Sequence, residues 1–156
     1  MPNLGPATTV TANTVATLTP VNIPLSSNPQ AGNALRLVAS GRAVSLNATG
    51  DSALMQIINS TAYVPTVVVF SNGLISGVSG NIAAASVSVN TGAGATGTVV
   101  RTGGVLAGMT STAVALVSAS PAAGTYITGN TGLYLNVATA VANATVDVFV
   151  YAYDLS

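Results

Sequence analysis

From about Ala34 onward, apolar and polar residues alternate in short bursts. In "ALRLVAS", Leu35 and Leu37 flank Arg36; in "RAVSLNA", Val44 and Leu46 alternate with Ser45 and Asn47. Alternation of period two puts each set of side chains on its own face of a strand. "SALMQIINS", "PTVVVFS", "TVVRTG", "TAVALVSA", "TYITG", "LYLNVAT" and "ATVDVFVYAYDL" continue the series. They are rich in Val, Ile, Thr and Tyr, which fit a pleated surface. Gly, Asn and Ser punctuate these runs every 8–12 residues or so, the spacing of an all-β sandwich or barrel. Asn72-Gly73 predicts a two-residue hairpin. Helical periodicity is weak: "NIAAAS" is the best helical stretch, and it flows into the alternating "SVSVN". The expected fold is all-β, a single jelly-roll-like β-sandwich of about eight strands. An immunoglobulin-like sandwich with extra strands fits the same pattern, and a β-solenoid fits it less well, because no fixed-period repeat is visible.

The last strand carries the most information. In "TVDVFVYAYDL", Val146, Val148, Val150 and Ala152 share one face, and Asp147, Phe149, Tyr151 and Tyr153 share the other. Both faces are largely apolar, so the strand is expected to be central and covered on both sides. The domain core supplies one cover and a partner subunit the other. That makes Phe149, Tyr151 and Tyr153 candidate interface residues. "LYLNVAT", joined to it through "AVAN", is the expected hairpin mate.

Proline divides the chain. Of the 7 Pro, Pro2, Pro6, Pro20, Pro24 and Pro29 lie early. Residues 1–33 therefore read as an extended arm and residues 34–156 as the sandwich domain. "TPVNIPLSSNP" lacks a ladder donor at each proline, and each X-Pro step favours extended backbone. Two readings stand: a disordered tail, or an arm lying on a neighbouring subunit. The second accounts for Val21, Ile23 and Leu25, apolar residues that a solvated linker does not need, and makes them candidate interface residues.

Composition narrows the partners. Charged residues are 4% of the chain, against roughly 25% in an average soluble protein. They are Arg36, Arg42, Arg101, Asp51, Asp147 and Asp154, and the net charge is zero. A surface with so little charge favours association, so the chain is expected to work inside an assembly; a secreted module with a polar surface is the alternative. Three scattered Arg cannot form a phosphate-binding patch, which argues against nucleic acid. The absence of Cys and His removes disulfides, Cys-ligated zinc and the commonest general base. "MPNLGPATTV" has no basic n-region, and runs such as "VPTVVVF" are far shorter than a membrane-spanning helix, so no membrane partner is expected.

Candidate chemistry is sparse. Gly92, Gly94 and Gly97 in "VNTGAGATGTVV" have the G-x-G-x-x-G spacing of a dinucleotide-binding loop. That loop needs a helix after it to hold the pyrophosphate and an acidic residue about 20 positions on. "TVVRTGG" is β-branched and then broken by glycine, and no Asp or Glu occurs between Asp51 and Asp147. The segment reads instead as an exposed hairpin tip, and no cofactor is expected. Asp51 sits in a turn and Asp154 near the C-terminal end. Asp147, if inward, needs Arg36, Arg42 or Arg101 as a partner. No G-x-S-x-G elbow occurs, so no enzyme activity is expected. Tyr126, Tyr134, Tyr151 and Tyr153 would make a sugar-stacking platform if exposed together, but Tyr equally suits core edges and interfaces. Three Asn-x-Ser/Thr sequons, at Asn47, Asn59 and Asn143, need no more than chance in so Asn- and Thr-rich a chain.

The run "GRAVSLNATGDSALMQIINSTAYVPTVVVFSNG", Gly41 to Gly73, is followed by a Gly/Ala/Thr-rich middle and the ending "LYLNVATAVANATVDVFVYAYDLS". In layout and composition this resembles the small capsid decoration (cement) proteins of tailed bacteriophages, over residues 41–156. The resemblance implies a β-sandwich, often jelly-roll-like, that sits on the outer capsid surface of the virion as a dimer or trimer. It implies the major capsid protein and further copies of the chain as partners, and no active site. The expectation is a structural virion protein. The alternative is a receptor- or carbohydrate-binding jelly roll of a phage tail or fibre.

Overall fold

The structure, a computed structural model, describes residues 35–58, 60–118 and 126–156. The expected arm, with Val21, Ile23 and Leu25, lies outside the described residues. Ten strands follow in order: β1 Leu35–Ser45, β2 Gly50–Gln56, β3 Ala62–Ile75, β4 Val78–Ser79 and β5 Ser86–Gly92 come first. Then come β6 Thr96–Val105, β7 Val114–Ser118, β8 Ile127–Thr128, β9 Gly132–Thr139 and β10 Ala144–Asp154. No helix occurs among the described residues.

The strands form two antiparallel sheets. In the first, β10 lies between β1 and β3, and the far edge of β3 is shared by β8, β7 and β4 in succession. The second has the order β2-β9-β5-β6. Setting aside the two-residue strands β4 and β8, eight remain. The first pairs with the last (β1 with β10), the second with the seventh (β2 with β9), the third with the sixth (β3 with β7), and the fourth with the fifth (β5 with β6). This nested pairing is the jelly roll, a hairpin of strand pairs rolled into two facing sheets. The all-β, jelly-roll-like sandwich expected from the alternation is therefore the fold observed.

Alternation explains the core. One row of the central strands turns inward and is buried, including Val146, Val148, Val150 and Ala152 of β10 and Leu133, Leu135 and Val137 of β9. Val68 and Phe70 of β3 and Val87 and Val89 of β5 join them. Each such Val, Leu or Phe side chain contributes about 1.5–3 kcal/mol when fully removed from water. β10 is central, as its two apolar faces predict.

Three local expectations are overturned. First, β9 is not the hairpin mate of β10: the two lie in different sheets. The "AVAN" connection is tied to Leu46, whose carbonyl accepts from the Val141 amide at 2.9 Å and whose amide donates to the Ala144 carbonyl at 2.8 Å. Those bonds carry the chain across the sandwich, so each strand's buried row faces the other. Second, Asn72-Gly73 is not a turn. β3 runs through it, and the pair forms a bulge opposite β10, where the register passes from Leu74–Thr145 to Ser71–Asp147. Asn72 takes a left-handed φ of 56°, which Asn tolerates and a bulge needs. The turn comes at Ser76-Gly77, with φ of 52° and 80°, between the paired Ile75 and Val78. Third, "NIAAAS" makes one turn rather than a helix. The Asn81 side chain accepts from the Ala83 amide at 2.8 Å, and the Ala85 amide bonds the Ile82 carbonyl at 2.9 Å. Ile82 and Ala85 are thereby buried before β5 begins.

Candidate interface on the outer face of the first sheet

Residues directly opposite in an antiparallel pair share a face. Across β10, Phe149 faces Ser40 and Val69, Tyr151 faces Leu37 and Val67, and Tyr153 faces Leu35 and Val64. All of these turn away from the core, because the intervening residues of β10 are the buried row. The outer face thus carries three parallel rows: leucines on β1, aromatics on β10 and valines on β3. Leu35 is 51% exposed and Tyr153 42%, while Leu37, Phe149, Tyr151, Val64, Val67 and Val69 are half-buried. The three candidates Phe149, Tyr151 and Tyr153 therefore stand together in one row.

Two bulges keep the rows aligned. β1 has an extra residue, Val38, between the Leu37–Tyr151 and Ala39–Val150 pairs, and β3 has an extra Thr66 between Val67–Tyr151 and Pro65–Ala152. Pro65, which has no ladder donor, is tolerated within β3 because it sits at this irregularity. The sequence singled out β10 alone. Its companions Leu35, Leu37, Val64, Val67 and Val69 enter the face only through register, although "ALRLV" and "YVPTVVVF" already show apolar residues that a single buried row does not use up.

Both ends of β10 carry a charge pair made within the chain, Asp147 on the outer face and Asp154 on the opposite one. Asp147 accepts the Ala43 amide at 2.7 Å and pairs with Arg42 Nε at 3.8 Å. Asn72 Nδ2 donates to it at 3.5 Å, and the Arg42 guanidinium lies 5.4 Å from the centre of the Phe149 ring. Asp154 pairs with Arg36 at 2.6 Å and accepts from Ser60 Oγ at 2.8 Å and from the amide and hydroxyl of Ser156 at 3.2 and 2.9 Å. Burial pushes the Asp154 carboxyl upward, but the Ser60 and Ser156 hydrogen bonds and the Arg36 charge outweigh it and hold the pKa below the usual carboxylate value.

The outer face of the second sheet is mixed. Asp51, Asn136 and Ser88 stand in line across β2, β9 and β5, as do Leu54, Tyr134 and Asn90. Asn136 Nδ2 donates to Asp51 at 3.0 Å and Ser88 Oγ to Asn90 at 2.9 Å. Beside these polar groups the same face exposes Leu54, Val99 and Val105, the valines paired with Asn90 and Ser86 of β5.

The remaining candidates fall elsewhere. The glycine motif is the tip of the β5–β6 hairpin, where Gly94, Ala95 and Gly97 take φ of 66°, 61° and 73°. Gly94 and Gly97 are exposed, Gly92 is half-buried, and the Gly94 amide donates to Asp51 at 2.7 Å. The three Asp do not form a cluster. Asp51 lies on the second sheet, while Asp147 and Asp154 point to opposite faces of β10, roughly 23 Å apart along the strand at about 3.3 Å per residue. Among the described residues no group of three or more His, Cys, Asp or Glu is placed to hold a metal ion. Arg101 is not the partner of Asp147. It is buried between the sheets, 5.0 Å from the centre of the Phe70 ring, donating to the carbonyls of Val87 and Gly104, and burial lowers its pKa. The four tyrosines do not assemble into a platform: Tyr151 and Tyr153 lie on the first sheet, Tyr134 on the second, and Tyr126 precedes β8. Of the sequon residues, Asn47 and Asn143 tie two loops together through the Asn143 amide and Asn47 Oδ1 at 2.8 Å, and Asn59 lies outside the described residues.

A separate cleft of about 330 Å³ lies between residues 56–61 and the β8–β9 connection. Gln56, Ser60, Thr61, Asn130 and Thr131 line it beside Ile57, with no charged side chain. Two backbone bonds lock its sides, Ile57 amide to Thr131 carbonyl at 3.1 Å and Gly129 amide to Thr61 carbonyl at 3.2 Å.

Comparison with known proteins finds no family, no curated protein and no solved structure that matches this chain.

Proposed function

We propose that this chain is a structural virion protein, a capsid decoration subunit that binds the outer surface of a phage head and stabilises contacts between major capsid subunits. One observation carries the reading: a jelly roll whose first sheet gathers leucine, aromatic and valine side chains into adjacent rows on its outer face. A sandwich that works alone in water gains nothing from leucine, aromatic and valine rows on its outside, whereas a subunit of an assembly buries them. At about 25 cal/mol per Å² each contact adds a modest increment, and a shell repeats it in every copy. Docking strands no charge, since Arg42 and Asp147 are already paired, as are Arg36 and Asp154. The resemblance in layout to phage decoration proteins is what points to a phage head as the shell. The test is co-sedimentation of purified protein with phage heads lacking it. The expected result is saturable binding and raised thermal resistance of the heads, both reduced by deleting residues 2–30. Absence of binding to heads overturns the reading.

The cleft favours a second reading, a recognition module. Its hydroxyl and amide lining beside Ile57 suits a neutral polyhydroxylated ligand, and its volume is at the low end of small-molecule sites. Glycan-array binding that is lost in Gln56→Ala and Thr131→Val, in a protein that does not bind heads, would decide for it.

A further inference from the structure

We propose that the apolar outer face of the first sheet is covered by a second copy of this chain, packed face to face about a two-fold axis that runs along the strands between β10 and β3. The inference rests on the reading of this face as an interface.

The argument is one of shape and register. The Phe149–Tyr151–Tyr153 row is a ridge, because aromatic side chains stand several ångströms taller than valines. The Val64–Val67–Val69 row beside it is a trough, one strand spacing of about 4.8 Å away. Each aromatic has its valine directly opposite, at the same height along the strand: Phe149 with Val69, Tyr151 with Val67, Tyr153 with Val64. A two-fold axis parallel to the strands and above the line between the rows preserves height and exchanges the rows. It therefore sets every aromatic of one copy over the matching valine of the other, and the reverse. Ridge fills trough twice, which is the reciprocal contact an isologous dimer requires. The leucine row of β1 flanks the contact.

Charge points the same way. The chain has zero net charge, so two copies do not repel. Asp147, at the Phe149 end of the rows, is paired with Arg42 within each copy, and the Arg36–Asp154 pair lies on the opposite face of β10. A highly charged partner would find no counter-charge, while a second copy brings the same neutral, self-matching surface.

The test is sedimentation velocity of the full chain over a concentration series. The expected species is a dimer. Tyr151→Arg and Val67→Asp should each weaken self-association by about a hundredfold or more, since each copy would bury an unpaired charge against an apolar partner. Mixing the two variants should restore a one-to-one heterodimer, because the introduced guanidinium of one copy then meets the introduced carboxylate of the other. Far-UV circular dichroism checks that the variants fold. If either does not, Tyr153→Ser and Val64→Thr replace them and should each weaken the dimer about tenfold. A monomeric wild type, a trimer, single variants that stay dimeric, or a mixture that stays monomeric each overturns the proposal. A dimer that ignores phage heads overturns the decoration reading alone, and a monomer that binds heads overturns this inference alone.

Discussion

Two side chains show how closely the interior is matched, and where it is not. The Tyr63 hydroxyl is fully buried and makes no hydrogen bond, and burial pushes its pKa up to about 12. An unsatisfied buried hydroxyl costs about 1–3 kcal/mol. Tyr63→Phe removes that penalty while keeping the ring, so its urea midpoint should rise by the equivalent of about 1 kcal/mol. Asp154 is the opposite case, a carboxylate supplied with every partner it needs. Its pKa is lower folded than unfolded, so the unfolded chain takes up protons first as pH falls. Its stabilisation is complete above the unfolded value near 4 and is lost as pH drops through the lower folded value. Urea midpoints measured from neutral pH to about pH 2 should fall through this window, and fall less in Asp154→Asn. The exposed side of the Arg36 pair makes its share of the effect sensitive to salt.

At the scale of elements, most strands were legible because alternation is a local property, and their connections were less so because connection is not. Asn72-Gly73 is the instructive case. The chemistry read there was right, since Asn72 does take a left-handed φ and Gly73 does leave space. The fold spends that chemistry on a bulge in β3, and places the reversal further along at Ser76-Gly77. What decides is packing: a Cβ on Gly73 would stand 3.0 Å from Met109 Cγ and 3.1 Å from Ile82 Cδ1, both buried side chains. Gly73→Ala should therefore cost about 1–3 kcal/mol by overpacking, read as a lower melting temperature. The separation of β9 from β10 was illegible for a similar reason. A short link serves a hairpin or a crossing equally well, and the bonds to Leu46 that choose between them come from a loop far away in the chain. The outer rows were half legible: β10 announced itself by two apolar faces, whereas the leucines and valines beside it needed the register of β1 and β3.

For the whole molecule, the ordering of apolar side chains into rows on one outer face is the organising fact. Amides, a carboxylate and scattered aliphatic side chains dress one side, and ordered leucine, aromatic and valine rows the other. With charge at 4% of residues and Arg42–Asp147 and Arg36–Asp154 paired internally, little long-range electrostatics is left to guide or oppose association. Self-association measured by sedimentation between about 50 and 500 mM NaCl should hence change by less than about twofold, whereas an interface held by exposed ion pairs weakens over that range. Composition revealed this much before any fold was known; which face would be bare did not follow until the strands were in register.

The nested pairing has one more outcome. Because the first strand pairs with the last, Leu35 sits opposite Tyr153, and the sandwich begins and ends at a single corner. In topological terms it is nearly a closed loop of chain: a short linker from one end to the other would make a ring without displacing a strand.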